Sequence, residues 1–339
     1  MFAVKLENLN DFLIKLNGIL PVYAPINQNN IVDFKRLDNS NILDLDLKSV
    51  NTQKSPKNFF FSCYQDIVEF NVEGKNISIK EIEKDNNSFV VFGVKACDEK
   101  SFKILDSVFL SNPCDEFYQN KRNNGIIITL ACNKFDNSCF CLNFDIEPFN
   151  PKGDIACFNT PNHLVFQGIT EKGIAFLNKY SELFIIIDFD LEKFKQDLKE
   201  KFMRMPLANL DLNAFKNKPL LDIFNDEKWD TLSQTCLGCG SCTFFCPTCQ
   251  CYDIRDFKNK NSITRYRCWD SCMYSDFTLV AGGGNPRKTQ KERFRQRFMH
   301  KLVYSPTNTG EFGCVGCGRC LKVCPNSLNI VNVIKKLGE

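Results

Sequence analysis

Two stretches near the C-terminal end repeat one cysteine spacing, namely Cys236-Leu-Gly-Cys-Gly-Ser-Cys-Thr-Phe-Phe-Cys-Pro247 and Cys314-Val-Gly-Cys-Gly-Arg-Cys-Leu-Lys-Val-Cys-Pro325. Each stretch reads C-x2-C-x2-C-x3-C-P, the spacing by which thiolates hold a [4Fe-4S] cluster. Three closely spaced cysteines wrap one face of the cluster, glycines let the backbone approach the sulfides, and the proline directs the fourth cysteine away. The pattern therefore predicts a pair of [4Fe-4S] clusters.

The fourth cysteine of each stretch is expected to ligate the other cluster, as in two-cluster ferredoxins. The predicted ligands of the first cluster are Cys236, Cys239, Cys242 and Cys324. Those of the second are Cys314, Cys317, Cys320 and Cys246. Two four-cysteine zinc sites are the alternative, but zinc ribbons separate two C-x2-C knuckles by many residues instead of placing three cysteines two apart. The spacing favours iron-sulfur clusters over zinc.

The 67 residues from 247 to 313 separate the two stretches and carry further cysteines. These are Cys249, Cys251, Cys268 and Cys272. Their C-x-C and C-x3-C spacings match no established metal motif, so plain thiols are the simpler interpretation. A further cluster or a zinc ion is the alternative, with Cys249 and Cys272 as its candidate ligands.

Composition limits the classes of protein to consider. The 339 residues contain 43% hydrophobic residues, 19 cysteines, 2 histidines and a formal net charge of only +3. Abundant cysteine in a large chain favours metal or redox chemistry, while scarce histidine leaves little material for acid-base catalysis. The charged N-terminus and short apolar runs predict a cytoplasmic chain without a signal peptide or membrane helix. The balanced charge gives no reason to expect nucleic acid or membrane partners.

The N-terminal part shows the pattern of a parallel βαβ unit. Residues 89–94 and 125–130 are apolar throughout, as in strands buried on both faces, and residues 98–110 carry an apolar stripe at helical spacing. Strands at 163–166 and 183–187 and a helix at 192–203 are expected to follow. We therefore predict an α/β domain with a mainly parallel sheet over residues 1–225. An α-rich dicluster ferredoxin-type domain is predicted over residues 226–339, with a long insert at 247–313.

A third cysteine set falls at the ends of the two apolar strands. Cys97 and Cys132 directly follow these strands, and Cys139 and Cys141 lie in the next loop. Carboxyl ends of parallel strands meet at one sheet edge, where ligands bind, and a helix N-terminus there favours an anionic group. These four cysteines therefore predict a third [4Fe-4S] site, with Asp98 as a possible substitute ligand. Ordinary buried cysteines are the alternative, and Cys63, Cys114 and Cys157 are predicted to be structural.

Two other features bear on function. No G-x-G-x-x-G after a strand and no G-x-x-x-x-G-K-[ST] occurs, so any nucleotide chemistry is expected on a partner protein. A basic amphipathic helix is predicted between residues 287 and 301. It could be a solvated face, a docking surface, or a source of positive charge that raises the potential of a nearby cluster.

Several motifs resemble the iron-sulfur beta subunit of soluble [NiFe] sulfhydrogenases and the closely related iron-sulfur subunit of anaerobic sulfite reductase. The resemblance covers most of the chain. It rests on Lys95-Ala-Cys-Asp98, Cys139-Phe-Cys141, Cys246-Pro-Thr-Cys-Gln-Cys251, Trp269-Asp-Ser-Cys272, Ala281-Gly-Gly-Gly284, Arg293-Phe-Arg-Gln-Arg297 with His300-Lys301, and Cys314-Val-Gly-Cys-Gly-Arg-Cys320. The segment Ser55-Pro-Lys-Asn-Phe-Phe-Phe61 looks more like the hydrogenase branch.

The resemblance implies a cytoplasmic electron-transfer subunit without a catalytic centre of its own. It would relay electrons between a flavin subunit that exchanges them with NAD(P)H and a catalytic hydrogenase or sulfite reductase subunit. A free-standing ferredoxin-like carrier is one alternative, and a zinc-binding structural or nucleic-acid protein is another.

Overall fold

A computed structural model describes residues 1–260 and 262–338, which form two β-sheets surrounded by helices. The strands are β1 (Phe2–Lys5), β2 (Val22–Gln28), β3 (Ile31–Arg36), β4 (Tyr64–Glu73), β5 (Asn76–Glu81), β6 (Phe89–Val94), β7 (Gly125–Leu130), β8 (Ile155–Asn159), β9 (His163–Gly168), β10 (Ile185–Ile186), β11 (Tyr252–Asn259) and β12 (Ser262–Trp269).

The helices connect and cover the sheets. They are α1 (Leu9–Ile19), α2 (Ala96–Phe109), α3 (Glu116–Asn124), α4 (Glu171–Lys179), α5 (Leu191–Phe202), α6 (Asn213–Asn217), α7 (Leu220–Phe224), α8 (Lys228–Ser233), α9 (Ser241–Phe244), α10 (Gln290–Met299), α11 (Ser305–Thr309), α12 (Arg319–Val323) and α13 (Ile330–Gly338). Short 3-10 turns occur at Leu6–Asn8, Ile42–Asp44, Pro56–Phe59, Cys141–Phe144, Ser181–Leu183 and Asp276–Thr278, and a π-helical turn at His300–Tyr304 joins α10 to α11. No helix of the described residues is long and apolar enough to cross a membrane.

The larger sheet has the strand order β10-β1-β9-β8-β7-β6-β2-β3 and is mixed. The central strands β2, β6, β7 and β8 are parallel neighbours, whereas every pairing outside them is antiparallel. The prediction of a mainly parallel sheet is therefore corrected. Short connections force antiparallel pairing: β2 turns into β3 at Asn29 and Asn30, both with positive φ, and only residues 160–162 separate β8 from β9.

The predicted βαβ unit is present as β6, α2 and β7. Strand residues alternate between the two faces of the sheet. Val90 and Phe92 join the core under α1 and α4, while Val91 joins the core under α2 and α3. Coverage on both faces explains why these strands are apolar throughout. The predicted strand at 183–187 is shorter, since only Ile185–Ile186 pair with β1.

The smaller sheet joins distant parts of the chain. The hairpin β11–β12 lies in the insert predicted at 247–313, and β12 pairs with β4 of the hairpin β4–β5. One sheet therefore contains strands from both sides of the boundary predicted at 225/226, and the C-terminal part is less purely helical than expected. The largest apolar core is also shared, because Phe140 and Phe144 pack in the same cluster as Trp229, Phe298 and Ile334.

Candidate iron-sulfur sites

The first cysteine motif surrounds a cavity near the surface. Gly240, at φ 74°, turns the loop into α9, and the cavity is lined by the four predicted ligands Cys236, Cys239, Cys242 and Cys324. The crossing cysteine from the second motif thus lies with the first three. Most of the remaining lining is apolar and includes Met273, Phe294, Phe298 and Leu328, and Arg297 also lines the cavity.

Hydrogen bonds reach the sulfurs of this first set. Gln290 Nε2 donates to Cys236 Sγ at 3.3 Å, and Leu328 N donates to Cys324 Sγ at 3.2 Å. The Ser241 hydroxyl lies 3.5 Å from Cys239 Sγ and lowers the pKa of that exposed thiol. Such donors favour the thiolate form that binds iron.

The second motif is built the same way but lies inside the protein. Gly318, at φ 78°, turns the loop into α12, and Cys317 is only 8% exposed. The thiols of Cys314, Cys317 and Cys320 each interact electrostatically with that of Cys246. Cys246 therefore lies beside the three cysteines of the second motif, and its role as a ligand there stays a prediction. Burial raises the pKa of Cys317 to about 12.

The third predicted set lies at the carboxyl edge of β6 and β7. Cys97 is in the first turn of α2, and Cys132 comes two residues after β7. The thiol of Cys141 interacts with those of Cys132 and Cys139, and the thiol of Cys97 interacts with that of Cys141. The structure therefore brings all four cysteines together. Burial raises the pKa of Cys132 to about 11.

Asp98, the substitute ligand considered from the sequence, is already occupied. Its two carboxylate oxygens accept hydrogen bonds of 2.6 and 2.8 Å from Arg319, and both side chains are buried. Arg319 also donates to Thr52 O at 3.0 Å. The carboxylate therefore ties the second motif to α2 and does not face the thiols as a free ligand.

The third set adjoins the second motif directly. Phe140 N donates to Gly316 O at 3.0 Å, and Asn51 Nδ2 donates to Cys317 O at 2.7 Å. The Cys317 thiol interacts with those of Cys97 and Cys141. On the other side, the Cys320 thiol of the second set interacts with Cys242 of the first. The three sets are therefore neighbours in a row, with the second in the middle.

Comparison with known proteins agrees with this geometry. Residues 235–328 match the family model described as a 4Fe-4S dicluster domain. The chain is also similar to the Sulfhydrogenase 2 subunit beta of Pyrococcus furiosus (strain ATCC 43587 / DSM 3638 / JCM 8422 / Vc1), with 33% identity over 336 residues that cover 98% of this chain and 97% of the relative. The chain belongs to the sulfhydrogenase beta-subunit family. No solved structure matches it.

Membership of the sulfhydrogenase beta-subunit family makes this an iron-sulfur, electron-transfer protein with a dicluster domain. The donor set fits [4Fe-4S] clusters, because each predicted set offers four neighbouring cysteine sulfurs. Within residues 1–260 and 262–338, no group of three cysteine, histidine, aspartate or glutamate side chains is arranged to hold a single metal ion. A cubane instead spreads its ligands, since each thiolate binds a different iron.

Three buried cations lie beside the thiols and were not singled out as site residues from the sequence. Lys301 Nζ donates only to neutral oxygens, Thr248 Oγ1 at 2.7 Å and Gly313 O at 2.9 Å. Arg297 Nη2 donates to Cys242 O at 3.2 Å, while its Nε has no hydrogen-bond partner among the described residues. Lys57 Nζ donates to Cys249 O at 2.8 Å and lies 4.0 Å from the ring centroid of Trp269.

A buried cation without a carboxylate is costly unless another anion lies close. Burial by itself lowers the pKa of Lys301, but the thiolates of Cys246, Cys249 and Cys314 more than offset this and raise it. Burial also lowers the pKa of Arg297, but nearby thiolates more than offset this effect, so its pKa is raised as well. The buried cations thus fit an interior that holds anionic thiolate-bound clusters. In the sequence, Arg297 could have been singled out because it belongs to the family motif Arg293-Phe-Arg-Gln-Arg297.

The basic stretch predicted as a helix at 287–301 is therefore only partly solvated. Arg293 Nε donates to Met273 O at 3.0 Å, and the Arg295 guanidinium lies 3.6 Å from the ring centroid of Phe224. With Arg297 and Lys301 buried beside cysteines, the arrangement favours the interpretation in which positive charge acts on nearby clusters.

The cysteines of the insert divide into two groups. Cys249, Cys251 and Cys272 line one cavity together, whereas Cys268 lies on β12 outside it. Cys157 is buried on β8 within the core, and its thiol interacts with no other cysteine of the described residues. Cys63 and Cys114 lie outside the three predicted sets.

Proposed function

We propose that this chain is the iron-sulfur electron-transfer subunit of a cytoplasmic, multi-subunit hydrogenase-type oxidoreductase. It would relay electrons between a flavin subunit linked to NAD(P)H and a catalytic subunit, without a catalytic centre of its own. The name of its Pyrococcus furiosus relative, a sulfhydrogenase subunit, supports the hydrogenase-type assignment.

The observation that carries this proposal is the row of three adjacent cysteine sets. [4Fe-4S] clusters bound there supply one-electron carriers. The chain's own residues hold them in sequence: the first motif next to solvent, the second in the interior, and Cys97, Cys132, Cys139 and Cys141 at the sheet edge. A single free-standing ferredoxin needs no such third site, and this supports a connector between two partners.

The surface at the first motif supports its role as one end of the row. Cys239 is exposed, and Leu237 beside it is 66% exposed. Arg297 lies between the first and second sets and Lys301 lies beside the second, where their charge would stabilise a reduced, more negative cluster and raise its potential. The residues thus exclude water from the middle of the row and leave its first end open.

The third cluster is tested by iron analysis of anaerobically purified variants. Cys97→Ala should remove about four irons per chain, because a cubane loses an anchoring thiolate. Cys157→Ala is the matched control, since Cys157 is also a buried cysteine but lies outside the three sets, and this variant should retain all iron. Unchanged iron in Cys97→Ala would refute the third cluster, and colourless protein with stoichiometric zinc would refute all three.

The partners are tested by anaerobic purification of the tagged chain from its own cells. We expect a flavin subunit to co-purify together with a catalytic one, and the complex to show hydrogen-dependent reduction of NAD(P). Elution as a monomer would instead favour a free-standing carrier. A co-purifying protein that reduces sulfite would assign the chain to the sulfite reductase branch.

A further inference from the structure

Thiols that belong to none of the three sets meet in one place. The hairpin β11–β12 begins just after Cys251 and ends just before Cys272, so its closure returns the chain to its starting point. Asp270 N donates to Cys251 O at 3.0 Å and fixes this return. As a result, Cys251 and Cys272 lie on the wall of the same cavity, and their thiols interact.

A third thiol extends this pair. The Cys249 thiol interacts with that of Cys246, the crossing ligand predicted for the second motif. The thiols of Cys249 and Cys272 also interact. Cys249, Cys251 and Cys272 therefore adjoin the second cluster set through Cys246.

These three cysteines open onto a cavity of about 180 Å³. Arg297, His300 and Lys301 line the same cavity, which lies between α2 and the helices α10 and α11. No carboxylate is among the lining residues of the described chain. The cavity thus has a donor set of three sulfurs and a positively charged wall.

Lys57 gives an independent reason to expect an anion here. Its side chain is 2% exposed and reaches across from residues 56–59 to donate to Cys249 O. Burial lowers the pKa of Lys57, and the sulfurs of Cys249, Cys246 and Cys251 are the nearby groups that oppose this effect. A lysine buried to this degree beside neutral thiols would carry a charge that no anion compensates, which is costly.

We propose that Cys249, Cys251 and Cys272 bind a fourth iron-sulfur cluster, held by three thiolates, with its remaining position facing the cavity. The cluster supplies the negative charge that Lys57, Arg297 and Lys301 require. It lies beside Cys246 and so forms a branch from the second site, not an extension of the row. The inference goes beyond the proposed function and does not depend on it.

The decisive measurement is the iron and sulfide content of the full chain, purified anaerobically. The wild-type protein should exceed the roughly twelve irons expected from three cubanes. Cys251→Ala and Cys272→Ala should each lose about three to four irons, while Cys268→Ala should lose none. Cys268 is a matched control because it lies on the same hairpin, four residues from Cys272, and outside the cavity.

Equal iron content in all three variants and the wild type would overturn the proposal, as would stoichiometric zinc. Failure of Cys97→Ala to lose iron would instead affect only the third set, so the two ideas fail separately. Should the alanine variants not fold, Lys57→Gln keeps the proposal testable. It should shift one midpoint potential to a more negative value and leave the iron content unchanged, and the absence of any shifted potential would contradict the site.

Discussion

The two cysteine motifs have the same spacing but different surroundings. In the first, Leu237 is 66% exposed and Ser241 is half-buried. In the second, the corresponding residues are Val315, which is 2% exposed, and Arg319, whose guanidinium forms a buried ion pair with Asp98. One motif faces solvent, and the other is enclosed by the loop at 136–141.

The comparison shows that the spacing fixes which atoms can bind a cluster, while the surroundings fix how accessible and how stable each site is. A local loop of three cysteines, two glycines and a short helix is common to both. What differs is the segment packed against it: Gln290 of α10 on the first motif, and Phe140 and Asn51 on the second. The following predictions test this contrast.

The largest effect should come from exchanging the residue between the second and third cysteines. Arg319→Ser leaves the Asp98 carboxylate buried without its partner, and we expect a loss of about 3–5 kcal/mol in the free energy of unfolding. Ser241→Arg, the reverse exchange at a half-exposed position, should change it by about 0.5 kcal/mol or less. Denaturant unfolding of anaerobic protein measures both.

A double variant separates lost charge from lost packing. Arg319→Met combined with Asp98→Leu removes both charges and should recover much of the stability lost in Arg319→Ser. If Arg319→Ser and Ser241→Arg were equally mild, the two motifs would not differ in the way proposed.

The next effect concerns equivalent glycines. Gly316 (φ 59°) and Gly238 (φ 67°) both occupy the left-handed region, so alanine costs each about 1–2 kcal/mol in strain. A Cβ on Gly316 would also lie 2.5 Å from the backbone of Phe140, whereas one on Gly238 meets the flexible end of Gln290 at 2.8 Å. Gly316→Ala should therefore be worse by about 2 kcal/mol, as measured by thermal unfolding, and equal losses would contradict the contrast in packing.

Cluster removal should proceed in a fixed order. Since Cys239 is exposed and Cys317 is 8% exposed, a water-soluble chelator should reach the first cluster without opening the fold. We expect the first cluster to be lost at least about tenfold faster, because ~1.4 kcal/mol of opening free energy already slows access tenfold. Visible absorbance follows the loss, and the spectrum of Cys239→Ala identifies the cluster. Simultaneous loss of both clusters would argue against different enclosure.

The smallest effect is a shift in potential at the first motif. Gln290→Leu removes the hydrogen bond to Cys236 Sγ and should lower that cluster's potential. A differential stabilisation of about 1 kcal/mol corresponds to about 40 mV for one electron. Gln119→Leu, on the exposed side of α3, is the control and should leave every potential unchanged. Redox titration followed by electron paramagnetic resonance measures the shift, and an unchanged potential in Gln290→Leu would show that this bond does not tune the cluster.

Much of the local structure was predictable because its causes are local. Residues 89–94, 98–110 and 125–130 were predicted as strand, helix and strand, and β6, α2 and β7 appear there in parallel pairing. The antiparallel pairing of the outer strands was not predicted, since it depends on short connections and on the position of β1 between β9 and β10. The pairing of β12 with β4 could not be predicted, because their residues are far apart in the chain.

The sequence alone determined the donor chemistry of this protein: two C-x2-C-x2-C-x3-C-P motifs, and cysteines after two buried strands. The ligand geometry of a cluster is set by the spacing of cysteines within a short loop, so it can be predicted from the sequence. Tertiary structure decided which motif is exposed, that Asp98 pairs with Arg319, and that Lys57 meets Cys249. Burial and charge compensation arise between segments distant in the chain, and only folding brings those segments together.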